Sequence, residues 1–443
     1  MSAPRCLLIG AGRMAGGFVT PLLRDAGWEI ILTSRSQRII ETINEGGGLW
    51  VRTGVNLPED HWVGDVSAVS LWDPGLPHLA ARADLLATAV GPSALPVVGR
   101  TLAPLLRARL RASEAPINVI TFENHRRAPE ILAASLIAED SSLARIICRR
   151  VGIGGAAVWR TISHRRITSN GVRFDADSAD ECYAEALSLI SGVPPLDGSI
   201  PGIELVRAFD NRMIEKLWVF NAGHAAAAYL GWQCGCRTIR EAMERPTVHA
   251  AVAGVVTEAQ RAFDAYLSIR PASVSLPPRF LNWILDSYAD PRLEDPIVRV
   301  AREPRRKLAA DDRLIGPAVA CSAAGFRPLA LANTIGAALS YAEPHDPQSV
   351  NLQSEIKLLG PTEVLCELGH LDPQEELVRL ACDSYERRSV ATALSADGPD
   401  ERQAPSILAR NLRLRAQSRG IRSRRCLQAF GERSLPTSIS GRA

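Results

Sequence analysis

Three polar residues interrupt an otherwise apolar stretch, EKLWVFNAGHAAAAYLG (residues 215 to 231): Lys216, Asn221 and His224. At about 100° per residue in an α-helix, Asn221 lies roughly 140° and His224 roughly 80° around the axis from Lys216. All three can border one side of such a helix. A lysine taken out of water gives up its proton more readily, which makes it a general base or acid near neutral pH. The same residues also fit a purely structural arrangement, with the lysine snorkelling to solvent and the amide and imidazole bonded within a core. What separates the two readings is whether other elements bring a reactive partner to this helix.

The opening of the chain supplies such an element. RCLLI (5 to 9) is a short apolar run ending at Gly10; GAGRMAGGFVTPLLRDAG follows, and then WEIILTSR, a second apolar run. Strand, glycine turn, helix and strand within about thirty residues predict the start of an α/β Rossmann-type, doubly wound parallel sheet. In Gly10-x-Gly12-x-x-Ala15 the first glycine permits the tight turn, the second lets backbone approach a pyrophosphate, and the alanine allows close helix–strand packing. Dinucleotide-binding turns that take NAD place a carboxylate at the end of the second strand. Here stand Ser34, Arg35, Ser36 and Arg38. Guanidinium and hydroxyl groups suit a 2′-phosphate, so NADP is the expected cofactor and NAD the alternative. Two more strand candidates, DLLATAVG (84 to 91) and INVITFEN (117 to 124), end in small or polar residues, where ligands of open α/β sheets bind.

From about residue 200 the pattern turns helical, over 204 to 231, 237 to 267, 279 to 288, 295 to 320 and 326 to 342. The organisation expected is a dinucleotide-binding domain over 1–195, a mostly α-helical substrate domain over 196–385, and a basic appendage over 386–443. The net charge of +3 conceals that division: residues 406 to 443 hold nine arginines against one acid, Glu432, a local +8, so the preceding 405 residues carry −5. The body is mildly acidic, which argues against nucleic acid as a partner. Nine cysteines without regular spacing suit reduced thiols, and none of them forms a pattern with zinc spacing. The chain starts four residues before its first strand and has no apolar window long enough for a bilayer. A cytoplasmic, metal-free protein acting on a small molecule as monomer or homodimer is the expectation.

With these motifs assembled in order, the sequence resembles the polyol-specific long-chain (mannitol) dehydrogenase family, in its mannitol-1-phosphate 5-dehydrogenase branch. The resemblance runs from about residue 5 to about residue 385. It is carried by GAGRMAGGF, TAVGP (88 to 92), FEN (122 to 124), IPGIEL (200 to 205), KLWVFNAGHAAAAYLG and REPRRKLAADDRL (302 to 314). It implies that Lys216 is the general acid/base for alcohol–ketone interconversion, that Asn124 and Asn221 polarise the reacting oxygen, and that His224 orients the substrate. Preorganised amide donors of this kind stabilise a developing alkoxide without a metal. It further implies cofactor contacts from Gly10, Ala11, Gly12, Arg13 and Met14, from Ser34 and Arg35, from Thr88, Ala89, Val90 and Gly91, and from Glu123 and Asn124. Arg160 and the cluster Arg302, Arg305, Arg306, Lys307 and Arg313 resemble the branch that grips a substrate phosphate, for which guanidinium forks are well shaped.

Three positions depart from the family pattern: Ser34 stands for an aspartate, AGG replaces Gly-Arg-Gly after the cofactor turn, and Trp159 replaces the aspartate of V-D-R-I. Tryptophan cannot accept the hydrogen bonds that a carboxylate takes from polyol hydroxyls, and it adds bulk. The expected activity is a metal-independent, NAD(P)-linked ketone/secondary-alcohol interconversion on a phosphorylated sugar or polyol of the fructose 6-phosphate/mannitol 1-phosphate type. The alternatives are a reductase of a non-phosphorylated ketose, uronate or keto acid, and a catalytically idle NADP-binding sensor. Retention of Lys216, Asn221, His224 and Asn124 together argues against the last.

Overall fold

The computed structural model of the chain describes residues 3–53, 59–177, 179–195, 198–268, 280–291 and 293–396. The basic C-terminal segment expected to form an appendage lies outside the described residues from 397 onward. Twelve strands are described: β1 Arg5–Ile9, β2 Glu29–Ser34, β3 Gly48–Thr53, β4 Glu59–Gly64, β5 Val66–Ser70, β6 Leu85–Thr88, β7 Ile117–Thr121, β8 Val151–Val158, β9 Ile162–Thr168, β10 Gly171–Ala176, β11 Cys182–Glu185 and β12 Glu204–Val206. Eight of them form one sheet in the order β12-β11-β8-β7-β6-β1-β2-β5, and its run from β8 to β5 is parallel throughout. Counted along the chain, those six strands follow the 3-2-1-4-5-6 order of a dinucleotide-binding sheet. The order reverses between β1 and β6, where a crevice opens at their carboxyl ends.

Both faces of the sheet are covered, so its strands read as continuous apolar runs and not as alternation. One face packs Leu7, Leu86 and Val119 against the helices Leu76–Ala81, Leu95–Ala112 and Ala128–Glu139. The other packs Leu8, Ile30 and Leu32 with Phe18, Ile43 and Phe174. Each such fully buried side chain contributes about 1.5–3 kcal/mol of transfer free energy. Phe174 belongs to a second, four-stranded sheet, β4-β3-β10-β9, which the periodicity of the sequence does not announce. Its strands are short and interleave in the chain with those of the main sheet.

The helical part is built round the segment that carries the polar trio. Ala225, Ala226, Ala227 and Ala228 are almost completely buried, and apart from Asn221, His224 and the terminal Gln233 the helix Asn221–Gln233 is apolar all round. Such a helix has to be enclosed, and alanines let the enclosing helices approach closely. The helices Pro246–Ser268, Ile297–Ala301 and Leu329–Leu339 pack against it. The single helical stretch expected over 295 to 320 divides into Ile297–Ala301, Pro304–Lys307 and Ile315–Ala323. Glu303, in the left-handed region at φ 59°, and Pro304 after it end the first of these. Likewise 204 to 231 begins as strand β12, and its helix starts at Phe209.

Candidate active site

The glycine turn meets the sheet where the spacing expects it. Gly10 has φ 122°, and a Cβ there would stand 2.7 Å from the carbonyl oxygen of Ala89. Only glycine fits between the ends of β1 and β6, and the turn is thereby laid along the crevice. The crevice widens into a cavity of about 720 Å³ lined by Gly12, Arg13, Met14, Arg35, Ala89, Val90, Gly91, Glu123 and Asn124 from the sheet side. Lys216, Asn221, His224, Arg306, Lys307 and Arg313 line its other wall, with Arg160 at one side. A crevice of this size, bounded by exposed backbone and by a cradle in which a Cβ would clash, fits a dinucleotide.

Five residues of the expected set are not among the lining residues. Gly10 and Ala11 underlie the turn, and the Ala11 carbonyl accepts from Arg165 Nη1 at 2.9 Å. Ser34 is buried and its Oγ accepts from the Ser36 N–H at 3.0 Å, shaping the loop that leaves Arg35 exposed at the cavity. Thr88 donates its hydroxyl to Glu123 Oε2 at 2.8 Å. Arg305 is ion-paired with Glu355. Arg38 is exposed and does not line the cavity either.

At the cavity floor, the segment Lys216–Phe220 is a π-helical turn in which the Asn221 N–H bonds the Lys216 carbonyl five residues back. An added residue in the turn carries Asn221 round toward the face of Lys216, undoing the roughly 140° separation of a regular helix. Asn221 Nδ2 then donates to Asn124 Oδ1 at 3.2 Å, bridging from the helix to the loop after β7. Lys216 is only 6% exposed; burial first, and the Arg313 guanidinium second, lower its ammonium to about 7. Cys182 and Asp177 oppose that shift. Asp177, itself buried, accepts from the N–H groups of Thr161 and Ala179 and is pushed up to about 6 by its burial.

His224 Nε2 lies 3.1 Å from Asp295 Oδ2. Burial lowers the imidazole, so it is neutral near pH 7 and donates this proton to the carboxylate. Burial disfavours the charge on Asp295, but Arg299, ion-paired to it, and His224 outweigh that and hold it at about 2. On the sheet side, burial pushes the Glu123 carboxyl up to about 7 although it accepts from the Val90 N–H and the Thr88 hydroxyl. Glu123 thus ties the loop after β6 to the end of β7.

The basic residues divide into two groups. Arg306 is held by Glu303 at 2.9 Å and Asp312 at 3.4 Å, Arg313 by Asp312 at 2.6 Å, and Lys307 donates to the Arg302 carbonyl. Arg160 donates to the Ala179 carbonyl at 2.6 Å, with its guanidinium 5.3 Å above the Phe18 ring. Arg13, Arg165 and Arg302 form no ion pair among the described residues, and Arg13 is lowered to about 10 by burial and by the nearby Arg299 and Arg302. Trp159 lines the cavity, as its place in the V-D-R-I stretch implied, whereas Phe220, Asp295, Arg165 and Arg299 are site residues that sequence reasoning missed. The i,i+4 spacing of Asp295 and Arg299 was the available signal for one pair; nothing in the spacing links either to His224. No cluster of three His, Cys, Asp or Glu side chains capable of holding a metal occurs among the described residues.

A Rossmann sheet whose glycine turn faces a buried lysine on a helical second domain, with an amide from each part paired between them, defines a dehydrogenase acting on CH–OH groups. The chain belongs to the mannitol dehydrogenase family: that family's Rossmann domain matches residues 4–185 and its C-terminal domain residues 206–363. It is 31% identical over 377 residues to a mannitol-1-phosphate 5-dehydrogenase of Brevibacillus brevis, covering 84% of this chain and 95% of that one. It is 30% identical over 382 residues to the enzyme of that name in Bacillus licheniformis, covering 84% and 97%. The fold matches mannitol 2-dehydrogenase of Pseudomonas fluorescens, solved as a ternary complex with NAD and D-mannitol, at a TM-score of 0.72 and 13% identity, covering 90% of this chain and 95% of that one. D-sorbitol dehydrogenase in substrate-free form matches at a TM-score of 0.65 and 12% identity, covering 89% and 94%.

Proposed function

We propose that the protein interconverts a ketone and a secondary alcohol on a phosphorylated sugar or polyol of the fructose 6-phosphate/mannitol 1-phosphate type, with NADP as the favoured cofactor. The observation that carries the reading is Lys216, held at about 7 beside the Asn221–Asn124 pair in a cavity at the carboxyl ends of β1 and β6. A group at that value supplies or removes a proton near neutral pH with little penalty in either direction. The turn from Gly10 to Met14, the loop from Thr88 to Gly91 and the end of β7 would hold the dinucleotide, and Arg35, which lines the cavity, would pair with a 2′-phosphate. The bound nicotinamide supplies or accepts the hydride.

The chain's own residues do the remainder. In reduction, protonated Lys216 donates to the carbonyl oxygen as it becomes an alkoxide, and the amide N–H groups of Asn124 and Asn221 offset the developing charge. In oxidation the neutral amine removes the hydroxyl proton. His224, fixed by Asp295, presents one ring nitrogen to the substrate side. Ten basic and two acidic side chains line the cavity among the described residues, an imbalance suited to a substrate that brings its own anionic group in addition to the cofactor.

The test is a panel of ketose phosphates and matching free ketoses, each with NADPH and NADH, followed by loss of reduced-cofactor absorbance. Turnover of fructose 6-phosphate at least tenfold more efficient than of fructose supports the reading. Equal or better use of free ketoses or keto acids refutes the phosphorylated substrate.

A further inference from the structure

Tyr288, the last residue of the helix Phe280–Tyr288, is 4% exposed and does not line the large cavity among the described residues. Its ring stacks on the imidazole of His224 with centroids 5.2 Å apart and planes 10° from parallel. Its hydroxyl donates to the Phe220 carbonyl. In a regular helix that carbonyl accepts from the His224 N–H, so the hydroxyl reaches one rung of the ladder where the π-turn ends. A side chain inserted at a rung is a recognised cause of local helix distortion.

Room for the hydroxyl comes from Gly223. A Cβ at that position would stand 2.8 Å from Tyr288 Oη and 2.5 Å from Val256 Cγ2. The tyrosine can reach the helix backbone only because residue 223 has no side chain. Burial keeps the phenol protonated well beyond neutral pH, so it remains a donor.

We propose that Tyr288 is a positioning residue for the reaction: its hydroxyl pins the helix at the end of the π-turn and so keeps Asn221 and His224 in register with Lys216. The inference rests on the reading that those three residues act on the substrate. Without the pin the turn relaxes toward regular α-geometry, which carries Asn221 away from the lysine's face. Tyr288 itself touches neither substrate nor cofactor.

A double-mutant cycle tests it, with fructose 6-phosphate and NADPH as the assay pair and the full chain as the protein. Tyr288→Phe, which keeps the stacked ring, is expected to lower kcat about tenfold while the Kd for NADPH stays within about twofold. If the hydroxyl works through Asn221, adding Tyr288→Phe to Asn221→Ala costs less than about twofold more. Full additivity of the two losses, or a Tyr288→Phe loss below about twofold, overturns the proposal. Gly223→Ala displaces the same hydroxyl, is expected to show the same non-additive loss, and carries the test if Tyr288→Phe folds poorly. An Asn221→Ala variant that keeps most of its activity would instead strike at the catalytic reading of the amide, a failure distinct from additivity.

Discussion

Asn221 and Asn124, ninety-seven residues apart in the chain, meet through one side-chain hydrogen bond of 3.2 Å between the helical wall and the end of the sheet. Each amide spends one group on the other, leaving further N–H donors for an oxygen held between them and Lys216. Asn221→Ala should therefore lower kcat by about two to three orders of magnitude, the usual cost of an oxyanion donor. A loss below tenfold would leave the pair a structural clasp.

Lys216 should set the pH dependence. Its ammonium loses its proton at about 7, so kcat for alcohol oxidation should climb through that value as the neutral amine forms. Ketone reduction should decline over the same interval, because it consumes the protonated form. Glu123 also titrates at about 7, and Glu123→Gln separates the two: the limb should persist in that variant. Lys216→Ala should cost about two to four orders of magnitude in kcat with cofactor affinity near wild type. Rapid turnover of the alanine variant at neutral pH would remove the lysine from the mechanism.

Asp295 is ionised at any usable assay pH, and it takes the Nε2 proton of His224 while pairing with Arg299. Asp295→Asn removes the charge and weakens the tautomer preference, leaving Arg299 uncompensated. A charge-assisted hydrogen bond is worth roughly 1.5–3 kcal/mol, so kcat/KM should fall about ten- to hundredfold. Steady-state kinetics that change by less than threefold would show that the histidine's orientation is set by its ring contacts alone.

Arg35 at the cavity and the buried Ser34 beside it should favour NADP over NAD by at least about tenfold in kcat/KM, since each 1.4 kcal/mol is one decade. Ser34→Asp combined with Arg35→Ala should reverse the preference, because a carboxylate repels the 2′-phosphate and can hold a free ribose hydroxyl. Wild-type preference for NAD, or a double variant still preferring NADP, would show that Arg35 points to solvent in the complex.

Much of the fold was legible because its signals are local. The turn at Gly10 follows an apolar run and precedes a helix, and the alanine-rich helix can be nothing but enclosed. The four-stranded sheet was not legible: β3–β4 and β9–β10 are local pairs, but they join into one sheet only where β3 meets β10, more than a hundred residues further along the chain. Helical arithmetic let Lys216 and Asn221 border one side of the helix, roughly 140° apart; the π-turn that brings them closer depends on tertiary packing that periodicity does not record. The run REPRRKLAADDR was readable as basic, but not the neutralisation of Arg306 and Arg313 by Glu303 and Asp312, or the diversion of Arg305 to Glu355. Charge in a sequence is a sum, whereas a binding site depends on which charges remain unspent.

The cationic lining of the cavity sits within a body whose first 405 residues carry −5. Such an arrangement works as a funnel: the outer surface repels anions weakly while the cleft draws field lines inward and concentrates them there. An anionic ligand should then meet the cleft faster than it would a neutral patch, and the gain should fade as added salt shortens the screening length from about 30 Å at 0.01 M to about 8 Å at 0.15 M. Capture, more than turnover, is the step that ionic strength would govern.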